Sequence, residues 1–194
     1  WLQSDGPKQR LPLVARDGRV YAQTQDGGVR ALHAQSGGTA WSVPPAKANA
    51  QGTLGPVICG EVLVVTRGGG GLEALALEDG ASRWNVATAP LVGLTCEVGV
   101  LLLSEAGGTL RALSPVDAGP RFARKLGETL LGPPVLADQW LWAQSGPGTL
   151  SGLRLDGEGE VRTLEATIAI GAPPAAGRQL LVLVDAERTG WVVG

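Results

Sequence analysis

The sequence predicts an all-β fold, a five-bladed β-propeller of four-stranded antiparallel blades, and three observations carry that expectation. The stretch Gly28 to Trp41 recurs as Gly71 to Trp84, 43 residues later and without a gap. A fixed period of roughly 20–50 residues marks a repeat architecture. Short apolar runs alternate with Asp-Gly, Gly-Gly and similar pairs along the whole chain, which is strand and hairpin chemistry. No stretch carries an apolar stripe at the helical period of about 3.6 residues.

The elements follow in order. The first copy has apolar runs at Leu13 to Ala15, Val20 to Ala22 and Val29 to Leu32, split by Asp17-Gly18 and Asp26-Gly27-Gly28. Later copies repeat the pattern, with third strands starting at Leu72, Leu110, Leu150 and Gly190, at spacings of 43, 38, 40 and 40 residues. An outer strand ends each copy and is marked by Trp41, Trp84 and Phe122; the fourth copy has Arg162 where this aromatic would fall. Four short strands at a period of about 40 read as a propeller blade. The repeats run over 12–43, 55–86, 92–125, 133–165 and 173–194, in one domain. Trp1-Leu2-Gln3 resembles the outer-strand openings Trp41-Ser42-Val43 and Trp84-Asn85-Val86. Residues 1–5 are therefore expected to supply the fourth strand of the last blade and leave no open edge.

Composition narrows the function. A net charge of −2 over 194 residues creates no field toward phosphate backbones or anionic lipid, so no nucleic-acid partner is expected. The longest apolar runs, such as Val98 to Leu103, are too short to span a bilayer. Cys59 and Cys96 have no Cys or His beside them. They read as two small buried apolar residues, with their pairing left open.

Candidate chemistry is sparse. His33 is the one histidine, at a repeat position held elsewhere by Ala76, Ser114 and Arg154, so no ligand role is expected. Glu158 and Glu160 read as an exposed hairpin tip. Glycoside hydrolysis needs two converging carboxylates, yet the innermost strands, read as Leu13 to Ala15, Val57 to Cys59, Leu94 to Cys96, Val135 to Ala137 and Ala175 to Gly177, carry no acid. Gly68 to Gly71 lacks the Lys-Ser/Thr of a phosphate loop and reads as a turn. Arg121, Arg124 and Lys125, beside Phe122, read as a solvated outer strand. Trp140 and Trp142 fall on one side of a strand. The better prospect is a contact surface on the longest linker, Pro44 to Gly55, with Pro44, Pro45, Lys47, Asn49 and Gln51. Trp191 joins it, because it replaces Arg30, Glu73, Arg111 and Ser151 at its repeat position.

Ala31, Leu32, Ala34, Gly37 and Trp41, with Ser36 in place of Thr and His33 in place of Asp, resemble the tryptophan-docking repeat of quinoprotein-dehydrogenase-like (PQQ-repeat) propellers. Ala74, Leu75, Gly80 and Trp84 match it again, and Ala112, Leu113, Gly119 and Phe122 match in part. The chain is closest in character to the non-enzymatic, BamB-like envelope propellers. The resemblance implies structural docking roles for Trp1, Trp41, Trp84 and Phe122. It also implies a non-catalytic, protein-binding scaffold of outer-membrane assembly, outside the cytoplasm, with an envelope-associated protein partner and no cofactor. One alternative is a small lectin-like propeller. The other is a PQQ-dependent dehydrogenase, which would need a calcium cage, an Asp base and often an adjacent disulfide.

Overall fold

Two-residue turns join the first two strands of each four-stranded sheet. Asp17-Gly18 takes φ of 49° and 73°, Val98-Gly99 of 47° and 71°, and Asp138-Gln139 of 42° and 65°. Such left-handed pairs match the right-handed twist of the strands they join. Val98 is a β-branched residue in this region, an uncommon conformation, and it is exposed.

The computed structural model describes residues 12–24, 27–45, 54–67 and 70–166, and the strand backbone at 175–176, 181–184 and 190–193. The strands are β1 (Val14–Arg16), β2 (Arg19–Gln23), β3 (Val29–His33) and β4 (Thr39–Val43); β5 (Val57–Cys59), β6 (Val62–Arg67), β7 (Gly71–Ala76) and β8 (Ser82–Ala87). They continue with β9 (Leu91–Glu97), β10 (Val100–Glu105), β11 (Thr109–Leu113) and β12 (Pro120–Lys125). Next come β13 (Val135–Ala137), β14 (Trp140–Gly146), β15 (Thr149–Arg154) and β16 (Arg162–Glu165), then β17 (Ala175–Ala176), β18 (Leu181–Val184) and β19 (Gly190–Val193). Consecutive strands pair antiparallel into four four-stranded sheets, β1–β4, β5–β8, β9–β12 and β13–β16, and a three-stranded sheet, β17–β19. These all-β, propeller-like meanders follow the predicted strand pattern. The expected closure by residues 1–5 lies outside the described residues.

The chain divides into two compact units, Trp1–Thr88 with Pro115–Ala118, and Ala89–Ser114 with Gly119–Gly194. In the first unit, Tyr21, Val29, Ala31 and Trp41 of one sheet form a core with Leu63, Val65 and Leu75 of the next. Trp41 Nε1 donates to the Leu77 carbonyl (3.0 Å), which also accepts from Arg19 (2.8 Å) and Tyr21 (3.3 Å). Gly80, at φ 75°, lies under the Trp41 ring: a Cβ there would come within 2.7 Å of it. Trp84 Nε1 donates to Pro115 O at 2.9 Å, the carbonyl that corresponds to Leu77 one repeat on. Gln23 Nε2 donates to Thr66 O (2.6 Å), a second tie between the first two sheets.

In the second unit the core joins Leu102, Leu110 and Ala112 to Leu130, Leu141 and Leu153. Phe122 packs against that core and over Gly157, where a Cβ would come within 2.5 Å of the ring. Of the basic residues beside Phe122, Arg121 is exposed, while Arg124 and Lys125 are engaged and not merely solvated. Arg124 donates to Gly157 O and Gly159 O, both at 2.9 Å, and Lys125 donates to Gly107 O at 2.6 Å. Arg162 opposes Gly152 in the place where the first three sheets carry an aromatic, and its guanidinium sits 4.0 Å from the Trp140 ring centroid. Trp140 and Trp142 stack with centroids 6.1 Å apart. In the same unit β13 lies beside β17.

Sheets held together by one tryptophan depend on the space its ring occupies. Trp41→Ala should lower the unfolding free energy by about 3–5 kcal/mol, read by urea denaturation. Gly80→Ala should also destabilise, and the two losses should be clearly less than additive when combined, because the clash at Gly80 is with the Trp41 ring. Full additivity, or a Trp41→Ala loss below about 1 kcal/mol, would remove the tryptophan from this role.

Candidate functional site

The described part of the predicted contact loop lines a cleft. Pro44 and Pro45 leave β4 and are exposed. With Thr24, Arg30 and Ser42 they line a depression of about 220 Å³ in the first unit. Arg30 is half-buried on β3, opposite Ser42 of β4 and Ala22 of β2. Lys47, Asn49, Gln51 and Trp1 lie outside the described residues, and of Trp191 only its place in β19, opposite Leu183, is described.

Arg30 holds a position that recurs in the four four-stranded sheets. A residue near the start of the third strand lies diagonally across a hairpin from a residue at or near the end of the second strand. In the second sheet this pair is Arg67 and Glu73, with Nε and Oε2 2.6 Å apart and both largely buried. In the third sheet the signs are exchanged: Glu105 Oε1 is 3.0 Å from Arg111 Nη2. The fourth sheet has neutral partners, Ser145 and Ser151, whose hydroxyls are 2.8 Å apart. The first sheet has Thr24 and Arg30. Thr24 Oγ1 donates to Gly28 O at 3.1 Å, and no carboxylate among the described residues pairs with Arg30. Arg67 reaches the same region by donating to Gly27 O, but Glu73 already balances its charge.

A second cleft of about 360 Å³ carries both signs, with Asp17, Glu61 and Glu78 facing Arg19 and Arg83. Arg19 is committed there to the carbonyls of Leu77 and Glu78. This cleft therefore presents no single chemistry.

Two expectations about chemistry are corrected. The first strand of the third sheet runs on to Glu97, so a first strand does carry an acid. Sequence reading ended that strand at Cys96 because the left-handed turn was not placed at Val98-Gly99. Burial raises the Glu97 carboxyl above its ordinary value of 4.5, against a weaker opposing hydrogen bond from Thr95. Cys59 and Cys96 are not merely small apolar residues: neither is a free thiol, and both are disulfide-bonded.

Glu158 and Glu160 are exposed at a hairpin tip. The neighbouring Asp156 is held below the usual carboxylate range by the Glu158 backbone N–H, which donates to Oδ1 at 2.9 Å. Among the described residues no three His, Cys, Asp or Glu side chains gather closely enough to hold a metal ion. Nor is any helix there long and apolar enough to cross a membrane. His33 is exposed at the end of β3.

Residues 2–91 match the family profile described as outer membrane protein assembly factor BamB. No curated protein sequence matches the chain. Among solved structures, BamB from Moraxella catarrhalis superposes with a TM-score of 0.64 at 22% identity, covering 91% of this chain and 61% of that one. The computationally designed Ika8 protein superposes with a TM-score of 0.75 at 12% identity, covering 93% of this chain and 56% of that one. This chain thus spans about three-fifths of the length of the structures it resembles.

Glu97 gives a pH signature. A carboxyl whose folded-state value is raised binds its proton more tightly when folded, so its ionisation at neutral pH opposes folding. That cost is relieved as pH falls through the raised value and disappears below the ordinary value of 4.5. Glu97→Gln should therefore raise the urea midpoint at pH 7, and the gain should fade in acid. A loss at pH 7 would show that the charge is used.

Residues 2–91 resemble the BamB assembly-factor family in sequence, and 91% of the chain follows the sheet fold of a BamB-like PQQ-repeat propeller.

Proposed function

We propose that this chain is a non-catalytic, protein-binding scaffold of the cell envelope, in the manner of an outer-membrane assembly propeller. One observation carries the reading: the residues that match the assembly-factor profile, 2–91, are also the residues that build the Arg30 cleft and its Pro44–Pro45 wall. Loops on a rigid sheet scaffold are where binding residues concentrate. In this reading Trp41, Trp84 and Phe122 are docking residues that hold neighbouring sheets, a role supported by the Leu77, Pro115 and Gly157 contacts. Trp1 would repeat that role, with residues 1–5 completing the sheet of β17–β19 and a single ring of five blades. In this reading Pro44 and Pro45, followed by Lys47, Asn49 and Gln51, form the contact surface, and Trp191 of the second unit is a separate candidate contact.

The disulfide-bonded state of both cysteines supports an extracytoplasmic site, since disulfides persist in oxidising compartments. Protein isolated from its native compartment and denatured without reductant should expose no thiol at Cys59 or Cys96 to an alkylating reagent. Full alkylation of both would remove this support.

The function is tested by capture from detergent-solubilised envelope. Immobilised protein should retain an outer-membrane assembly protein, and retention should fall severalfold when residues 46–53 are replaced by a Gly-Ser segment of equal length. Equal retention would take the loop out of the site. Turnover of an alcohol in the presence of PQQ and calcium would replace the scaffold reading with the enzymatic one.

A further inference from the structure

Among the described residues, the Arg30 cleft presents a positive charge without a paired carboxylate, at a position that the second, third and fourth sheets balance. At the equivalent position Glu73 is neutralised by Arg67 and Arg111 by Glu105, and Ser151 meets Ser145 without charge. The exchange of sign between the second and third sheets shows that the position tolerates either charge when the diagonal partner supplies the other. The first sheet, unlike the next three, sets an arginine against a threonine. That threonine is a hydroxyl donor to Gly28 O, so it brings no negative charge.

The surroundings favour one kind of guest. Among the described residues the cleft has no acid on its wall. Pro44 and Pro45 contribute no backbone N–H, and their fixed backbone makes a stiff apolar flank. The Ser42 hydroxyl faces the same space from the strand opposite Arg30. A planar guanidinium with its donors in a fork, half-buried beside a hydroxyl, suits a carboxylate.

We infer that the Arg30 cleft binds the side-chain carboxylate of a glutamate or aspartate on an extended segment of a partner protein, with Arg30 as the charged anchor and Ser42 as a second donor. This inference rests on the scaffold reading above and gives its partner a chemistry. A side-chain carboxylate on a chain can also lay its neighbours along the proline flank, which a free small anion cannot do.

The test reads Arg30 itself. In isotope-labelled full chain, a short polyglutamate peptide should shift the Arg30 Nε–Hε resonance and the Ser42 amide saturably. A polyglutamine peptide of the same length should not. Arg83 and Arg121, exposed on outer strands, serve as internal controls and should move little. Arg30→Gln should abolish the response while leaving the rest of the spectrum in place. Arg30→Lys should restore part of it, because a point charge keeps attraction but loses the fork. The response should weaken by about tenfold between low salt and about 0.5 M salt.

No shift at Arg30, or shifts of equal size at Arg83 and Arg121, would overturn the inference. So would equal affinity for acetate or inorganic phosphate, which would mark a small-anion site. The scaffold reading fails separately: if no envelope protein is captured it falls, whatever the peptide does. If a partner is captured and Arg30→Glu leaves its retention unchanged, only the carboxylate inference falls.

Discussion

One carbonyl oxygen organises the first unit. Leu77 O accepts from the Trp41 indole, the Tyr21 hydroxyl and the Arg19 guanidinium, three side chains from the preceding sheet. Leu77 lies just past the end of β7, outside the ladder, so the two lone pairs of its carbonyl are open to these three donors, which share them. The ring of Trp41 needs room beside it, and Gly80 supplies that room together with a left-handed backbone. Indole, carbonyl and glycine therefore act as one device. Its loss would weaken the packing of two sheets whose other buried side chains are mostly aliphatic.

The device is repeated with variations that show what is essential. Trp84 finds the corresponding carbonyl on Pro115. There the left-handed residue is Ala118, at φ 58°, and not a glycine. Phe122 has no donor, and Arg124 takes over the polar part by reaching Gly157 O and Gly159 O. In the fourth sheet the aromatic is gone, and Arg162 instead covers the Trp140 ring. Contact area with the next hairpin persists in the first three, while the hydrogen-bond donor migrates between side chains.

A rigid repeat frees other positions for recognition. The diagonal pair across each second hairpin is satisfied internally in the second, third and fourth sheets, and this consumes its chemistry. In the first sheet Arg30 meets no carboxylate among the described residues, and the loop that leaves β4 brings two prolines to the same place. The unmatched charge and the stiff flank are features of one repeat against a background of matched ones. That contrast is the physical basis for placing a partner there.

The sequence by itself determined the strand pattern, because period-2 alternation and turn dipeptides depend only on local sterics and solvent exposure. The recurrence of Trp41 at Trp84 and the Gly80 match were visible for the same reason: they are identities at a fixed spacing. Tertiary structure decided what those residues touch. The acceptors on Leu77 and Pro115 are backbone atoms, which carry no residue signature. Glu97 became part of β9 because Val98 adopts a left-handed turn against its own preference, a choice imposed by pairing with β10. The Arg67–Glu73 and Glu105–Arg111 pairs were equally hidden, since a residue across a hairpin is a neighbour only after the register is set. Arg30 is distinguished by having no paired carboxylate among the described residues, and that is a property of three-dimensional surroundings.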